Sequence, residues 1–257
     1  MKDLKLFIQN NFTHYLFLSI LVAFPYFAYS MHIMEGYLPW EWCLVWSLVY
    51  LPFFFWGFKN LKHYLKGDTD IKMLLAMAVA FAFLLSSLKL PSVSGSSSHA
   101  TGVGFGTVLF GPMVMAVLGI IVLIFQVFLL AHGGLTTLGA NATSMCVAGP
   151  LVTWGLYILL KRMNVKWQWA VFLAVMIGDW ATYLVTSIQL ALAHPDLHEG
   201  FWGAVVKFIS VFGVTQIPIA IIEGILTVML MNVLVKTNLF DITSGYPKLK
   251  KNDVEIA

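Results

Sequence analysis

Residues 40–58 read WEWCLVWSLVYLPFFFWGF, nineteen positions with one charge, Glu41. About 20 apolar residues of helix reach across the hydrocarbon of a bilayer, so this stretch predicts a membrane-spanning helix. Its borders agree. Tyr37, Trp40 and Trp42 stand at one end and Lys59, Lys62 and Lys66 at the other, the pattern of an aromatic belt outside and positive charge inside. By that rule the segment preceding Trp40 faces outward.

The chain of 257 residues as a whole is built alike: 60% hydrophobic and 11% charged, with 20 Phe and 9 Trp. An ordinary soluble domain carries roughly a quarter charged residues, so a water-soluble globule is excluded. The net charge of +3 is small and its Lys and Arg residues fall in short clusters between apolar runs. That gives no nucleic-acid surface; the lipid bilayer is the partner the composition demands. Cys43 and Cys146 lie inside apolar segments, form no CxxC pair, and read as inert buried thiols.

Residues 1–30 have a different grammar: a basic start at Lys2 and Lys5, an apolar run from 15 to 27, and the small-x-small ending Ala28-Tyr29-Ser30. This is the pattern of a secretory signal peptide, with a retained first helix or a start at Met31 as alternatives. Cleavage after Ser30 leaves residues 31–257 as one transmembrane domain with a short cytoplasmic tail. It also creates a free amine at Met31, a nitrogen ligand once deprotonated.

Beyond the first span, residues 73–90 return outward, placing the polar loop 91–106 on the same side as Met31 and His32. Residues 106–160 are apolar but broken at Gly111-Pro112, His132-Gly133-Gly134 and Gly149-Pro150. Hydropathy shows two runs there, 108–131 and 142–160. Lys161, Arg162 and Lys166 should nevertheless be cytoplasmic, which takes an odd number of crossings and so a third, short or re-entrant one. Residues 167–193 then cross outward and 204–235 inward to a tail containing Lys248, Lys250 and Lys251. The expectation is an all-α polytopic protein with about seven transmembrane helices and an outward mature N-terminus.

The chemistry concentrates in Met31-His32-Ile33-Met34-Glu35-Gly36. In a chain beginning Met-His, the terminal amine, the His32 amide nitrogen and one His32 imidazole nitrogen can close adjacent chelate rings on one ion. Three nearly coplanar nitrogens suit divalent late transition metals. His99, in the flexible loop Gly95-Ser96-Ser97-Ser98-His99, offers a fourth donor on the same face, with serines able to orient the ring. Asp179, Glu223, Gln126, Gln189 and Gln216 are costly inside a membrane; Asp179 and Glu223, one in each of the last two spans, are expected to bond between helices, with neutralising a cation as the alternative. Asn141 and His132 are expected to satisfy backbone groups at a helix break rather than bind metal. Ala76 and Ala80 form a small-xxx-small pair where another helix could approach. No GxxxxGK[ST], HExxH or GxSxG motif occurs, so the chain cannot cradle nucleotide phosphates by the usual loop.

At these residues the sequence resembles the CbiM family, the substrate-capture membrane subunits of energy-coupling-factor cobalt importers. The likeness runs through Met31-His32-Ile33-Met34-Glu35-Gly36-Tyr37-Leu38-Pro39, residues 95–106 with Ser98-His99 and Thr101-Gly102, Ala131-His132-Gly133-Gly134-Leu135-Thr136-Thr137, Gly178-Asp179, Thr215-Gln216-Ile217-Pro218 and Glu223-Gly224. The loop departs from the cobalt-branch pattern at Ser97 and Ala100, where many members carry Cys and Pro; neither change removes a proposed ligand.

The resemblance implies a non-enzyme that captures Co(II) for cobalamin biosynthesis in the cytoplasmic (inner) membrane of a prokaryote, with Ni(II) as the alternative cargo. It implies Met31, His32 and His99 as metal ligands, with Glu35, Ser96, Ser98 and Asn141 supporting them. It further implies three partners: an energy-coupling transmembrane subunit, for which Ala76 and Ala80 are the expected contact, a cytoplasmic ATPase dimer and a small accessory membrane subunit. An intramembrane metalloenzyme is disfavoured because four planar nitrogens leave no evident general base. A secondary transporter is disfavoured because the sequence carries no paired repeat.

Overall fold

A computed structural model describes residues 32–66, 68–88, 90–91, 97–241 and 246–247. The expected leader, Met31 and Ser96 therefore lie outside the described residues. Seven helices follow in order: α1 Trp40–Leu65, α2 Thr69–Ser87, α3 Val103–Phe110, α4 Pro112–Leu130, α5 Leu138–Arg162, α6 Trp167–Ala193 and α7 Gly200–Lys236. Two-residue strands form two small antiparallel pairs, β1 Leu90–Pro91 with β2 Ser97–Ser98 and β3 Phe240–Asp241 with β4 Tyr246–Pro247. All but α3 are long and apolar enough to cross a membrane. Large side chains such as Leu48, Phe55, Phe128, Trp169 and Val214 stand exposed on their outer faces, as a lipid-facing surface requires.

Where a third, short or re-entrant crossing was expected within residues 106–160, the structure has α3, which starts ahead of the first apolar run and is too short to span a bilayer alone. Its eight residues rise only about 12 Å, and every one is buried. Glycine makes this central position accessible. A Cβ at Gly102 would lie 2.5 Å from the Ala82 Cα of α2, and one at Gly104 would lie 2.7 Å from a Val175 methyl of α6. Gly102 also has φ +68°, a left-handed conformation that L side chains rarely adopt. The chain consequently descends beside α2 before α3 begins. At the far end Gly111, φ +81°, reverses it, and Pro112 opens α4, where its missing N–H costs nothing.

α5 is irregular by composition. Residues Ala142–Ala148 are π-helical, and two hydroxyls bond back to their own helix, Thr143 to the Gly139 carbonyl (2.8 Å) and Ser144 to the Asn141 carbonyl (3.1 Å). Pro150, immediately beyond, removes one donor from the ladder. Between α6 and α7 the turn is tied by Asp196, whose carboxylate accepts from the His198 and Glu199 amides (2.9 Å each) and pairs with Lys207.

Candidate metal centre

Three histidines from distant parts of the chain meet inside the bundle. His32 precedes α1, His99 precedes α3 and His132 follows α4. One ligand nitrogen from each lies within 4.8 Å of the other two. Their rings stand edge to face with centroids 4.6, 4.8 and 4.9 Å apart. His99 and His132 are fully buried and His32 is 6% exposed. Among the described residues this is the group of His, Cys, Asp and Glu side chains arranged to share an ion.

The segment carrying His32 is held by the turn after α4 and by the first turn of α5. Ile33 N–H donates to Asn141 Oδ1 (2.9 Å), while the Ile33 carbonyl accepts from Asn141 Nδ2 (3.1 Å) and from the Thr137 hydroxyl (2.6 Å). The Asn141 side chain thus pairs with both backbone groups of Ile33, as a neighbouring strand would. Further out, the Glu35 carboxylate accepts from the Thr136 amide (3.1 Å) and hydroxyl. The Thr136 hydroxyl above all, then its amide, holds the Glu35 carboxyl below the ordinary range. Gly134 allows this contact, since a Cβ there would lie 2.7 Å from the Glu35 backbone nitrogen.

The His99 segment is held from the other side by α6 and α7. Tyr183 donates its hydroxyl to the His99 carbonyl (2.6 Å), Gln216 adds a second donor (3.3 Å), and Ser98 bonds Thr215 (2.6 Å). Thr101 N–H donates to Glu223 (2.7 Å) and lies 3.4 Å from Asp179 Oδ1, while Gln216 Nε2 donates to Asp179 Oδ2. Asp179 and Gln216 therefore bond between α6 and α7, and Glu223 anchors the loop through Thr101. The His99 ring itself is set by Nδ1, which contacts the Ala100 carbonyl at 2.8 Å. A carbonyl only accepts, so Nδ1 carries the proton and Nε2 keeps the lone pair a metal needs.

The structure therefore brings His32 and His99 together, with Asn141 gripping Ile33, Glu35 fastening the same segment to Thr136, and Ser98 fastened to α7 rather than to the imidazole. Ala76 and Ala80 lie exposed on α2, while Ala78 and Ala82 of the same helix face inward. His132 is the residue the sequence argument sent elsewhere. Its amide does serve the helix break, donating to the Gln126 carbonyl (3.1 Å), but its ring joins the other two. The available signal was topological: a crossing from His99 inward and another back outward return the chain to the same level at His132.

Comparison with known proteins gives the arrangement its context. The profile of the CbiM family, described as the cobalt uptake substrate-specific transmembrane region, matches residues 32–239. The chain belongs to the CbiM family. Two relatives, each named cobalt transport protein CbiM, are 58% identical over 215 residues in Anoxybacillus flavithermus (84% of this chain, 86% of the relative) and 57% identical over 210 residues in Desulforamulus reducens (82% and 83%). A crystal structure of a transition metal transporter shares the CbiM-family fold, with a TM-score of 0.70, 24% identity, and coverage of 82% of this chain and 96% of that one. The chain is a multi-pass membrane protein of a cobalt-uptake family, and its relatives are transport proteins.

Proposed function

We propose that this chain is the substrate-capture subunit of an ATP-driven energy-coupling-factor importer, taking up Co(II) on the outer side of a prokaryotic cytoplasmic membrane for cobalamin biosynthesis. Removal of residues 1–30 would free the Met31 amine. That amine, the His32 amide and imidazole and the His99 imidazole then form a four-nitrogen plane. The meeting of His32 with His99 in a buried pocket of a CbiM-family chain is the observation that carries this reading. Because the chain has no nucleotide-binding loop of its own, energy would come from a cytoplasmic ATPase pair through a coupling membrane subunit, with Ala76 and Ala80 as the contact face and a small accessory subunit completing the importer.

The test is N-terminal sequencing of the purified protein combined with metal analysis after exposure to equal Co(II) and Ni(II). A Met31 terminus with stoichiometric cobalt is expected, and His32→Ala and His99→Ala should each lose tight binding while remaining folded. Wild-type cobalt content in either variant, or in a protein that retains its leader, defeats the reading. Nickel in place of cobalt would reassign the cargo to the related nickel importers.

A further inference from the structure

Glu35, Glu41, Asp196 and Glu199 all stand at the end of the bundle where the segment before α1 lies. Among the described residues one Lys or Arg shares that end, Lys207, and it pairs with Asp196; the others stand at the opposite ends of the helices. Glu35 and Glu41 are therefore exposed carboxylates with no described Lys or Arg beside them. From Glu35 a groove of about 610 Å³ descends along α1. Glu35, Gly36 and Thr136 form its mouth, and Trp40, Leu44 and Leu48 line its length. We propose that this groove holds a phospholipid with an ethanolamine head, its ammonium on the Glu35 carboxylate and one acyl chain along Leu44 and Leu48.

Charge selects the head. Glu35 accepts from the Thr136 amide and hydroxyl, and a carboxylate offers about four lone-pair sites, so room remains for a further donor. The Thr136 hydroxyl, then its amide, holds the Glu35 carboxyl below the ordinary range, so the head meets an ionised group at neutral pH. A primary ammonium brings a positive charge and three N–H donors, the combination that gives charge-assisted hydrogen bonds. A choline head brings the charge without the donors. An anionic head meets two carboxylates, because Glu41 shares the stripe of Leu44 and Leu48 by its i+3 and i+7 spacing.

Length and polarity select the tail. Trp40, Leu44 and Leu48 succeed one another at every fourth position of α1, so they form one stripe, and each is more than half exposed. From Trp40 to Leu48 the helix rises about 12 Å, within the roughly 15 Å that one leaflet's hydrocarbon occupies. The stripe thus starts at the aromatic border of the span and ends short of the membrane centre, as a single acyl chain would. A soluble amine would gain nothing from it. The mouth is open because Gly36, φ +75°, has empty space where a Cβ would stand.

The lipid would act on the segment that carries His32. Its ammonium covers the solvent side of the contact between Glu35 and Thr136, so head group and turn hold that segment together. This is independent of which ion the chain captures.

Native mass spectrometry of the purified full chain in detergent, with dioleoyl phosphatidylethanolamine, phosphatidylcholine or phosphatidylglycerol added at equal concentration, reads the occupancy. One ethanolamine lipid per chain should be retained in preference to the other two, and it alone should raise the melting temperature. Glu35→Gln should weaken retention about tenfold, the loss of one charge-assisted hydrogen bond. Leu44→Trp, which fills the groove and leaves Glu35 on Thr136, should lose the lipid while melting like the wild type in its absence. Gly213→Leu fills instead the apolar groove between α6 and α7, where Gly213 has open space, and should retain the lipid as the wild type does. Equal retention of the three lipids overturns the proposal, as does wild-type retention in Glu35→Gln or Leu44→Trp. Loss in Gly213→Leu as large as in Leu44→Trp overturns it too, since the lipid is then not held by this groove. So does a photo-crosslinking residue at position 44 that captures a protein rather than phospholipid in native membranes.

Discussion

At the scale of single residues, the grip on the segment after His32 has an inner and an outer part that respond differently to solution conditions. The inner part, Asn141 and Thr137 on Ile33, is buried and uncharged. The outer part is the exposed carboxylate of Glu35 on Thr136. Its carboxyl is held below the ordinary value of about 4.3 by the Thr136 hydroxyl and amide. A depressed value means that the contact stabilises fully above the unfolded value and fades as pH falls through the folded one. Because Glu35 is solvent-exposed, the contribution is no more than about 1 kcal/mol. Glu35→Gln should therefore melt slightly below the wild type at neutral pH, and the gap should close on acidification below pH 4. Melting curves of the two proteins in detergent across that range check it; a gap independent of pH contradicts the carboxylate's part.

At the scale of elements, α3 is the piece on which the site depends, because it begins three residues after the His99-Ala100 pair and can be central only if its neighbours touch its backbone. Gly102→Ala meets two penalties, a left-handed φ and a Cβ 2.5 Å from Ala82 Cα, together about 2–4 kcal/mol. Gly155, on an exposed face of α5 with open space around it, is the control. Alanine there should be neutral or stabilise by up to about 1 kcal/mol. Thermal unfolding of both variants decides, and equal melting temperatures would contradict the packing described for α3. The long helices were legible from composition, since each is an apolar run ended by Lys, Pro or Gly. The third crossing was legible only through the parity of basic clusters, because eight apolar residues joined to a polar loop have no hydropathy signature of a span. His32 and His99 could be read as candidates from residue type and side, and Asn141 as a support only through the family resemblance. For His132 only its level in the bundle could be read, because a histidine beside two glycines at a helix end is equally explained by turn chemistry, and the left-handed Ala131 that precedes it carries no sequence mark.

For the whole molecule, the proposed sidedness follows from one rule applied to three basic clusters, with seven crossings between the ends once the short one is counted. Leu197, 97% exposed between α6 and α7, and Met163, 64% exposed after α5, should then lie on opposite sides of the membrane. Leu197→Cys should react with an impermeant maleimide in intact cells, and Met163→Cys only after permeabilisation; the reverse order would invert the topology and put the histidines at the cytoplasmic face. The background is low because Cys43 and Cys146 are both buried.

Fastened by Asn141, Thr137 and Thr136, the stretch that carries His32 forms one wall of the histidine pocket. If the proposed site holds its ion, ligation and sealing are a single event: the cork is itself part of the claw. An ion so held would not be traded for another by stepwise replacement of donors. Its residence time would then be set by how often the whole stretch lets go of its turn, so whatever loosens that turn would govern delivery.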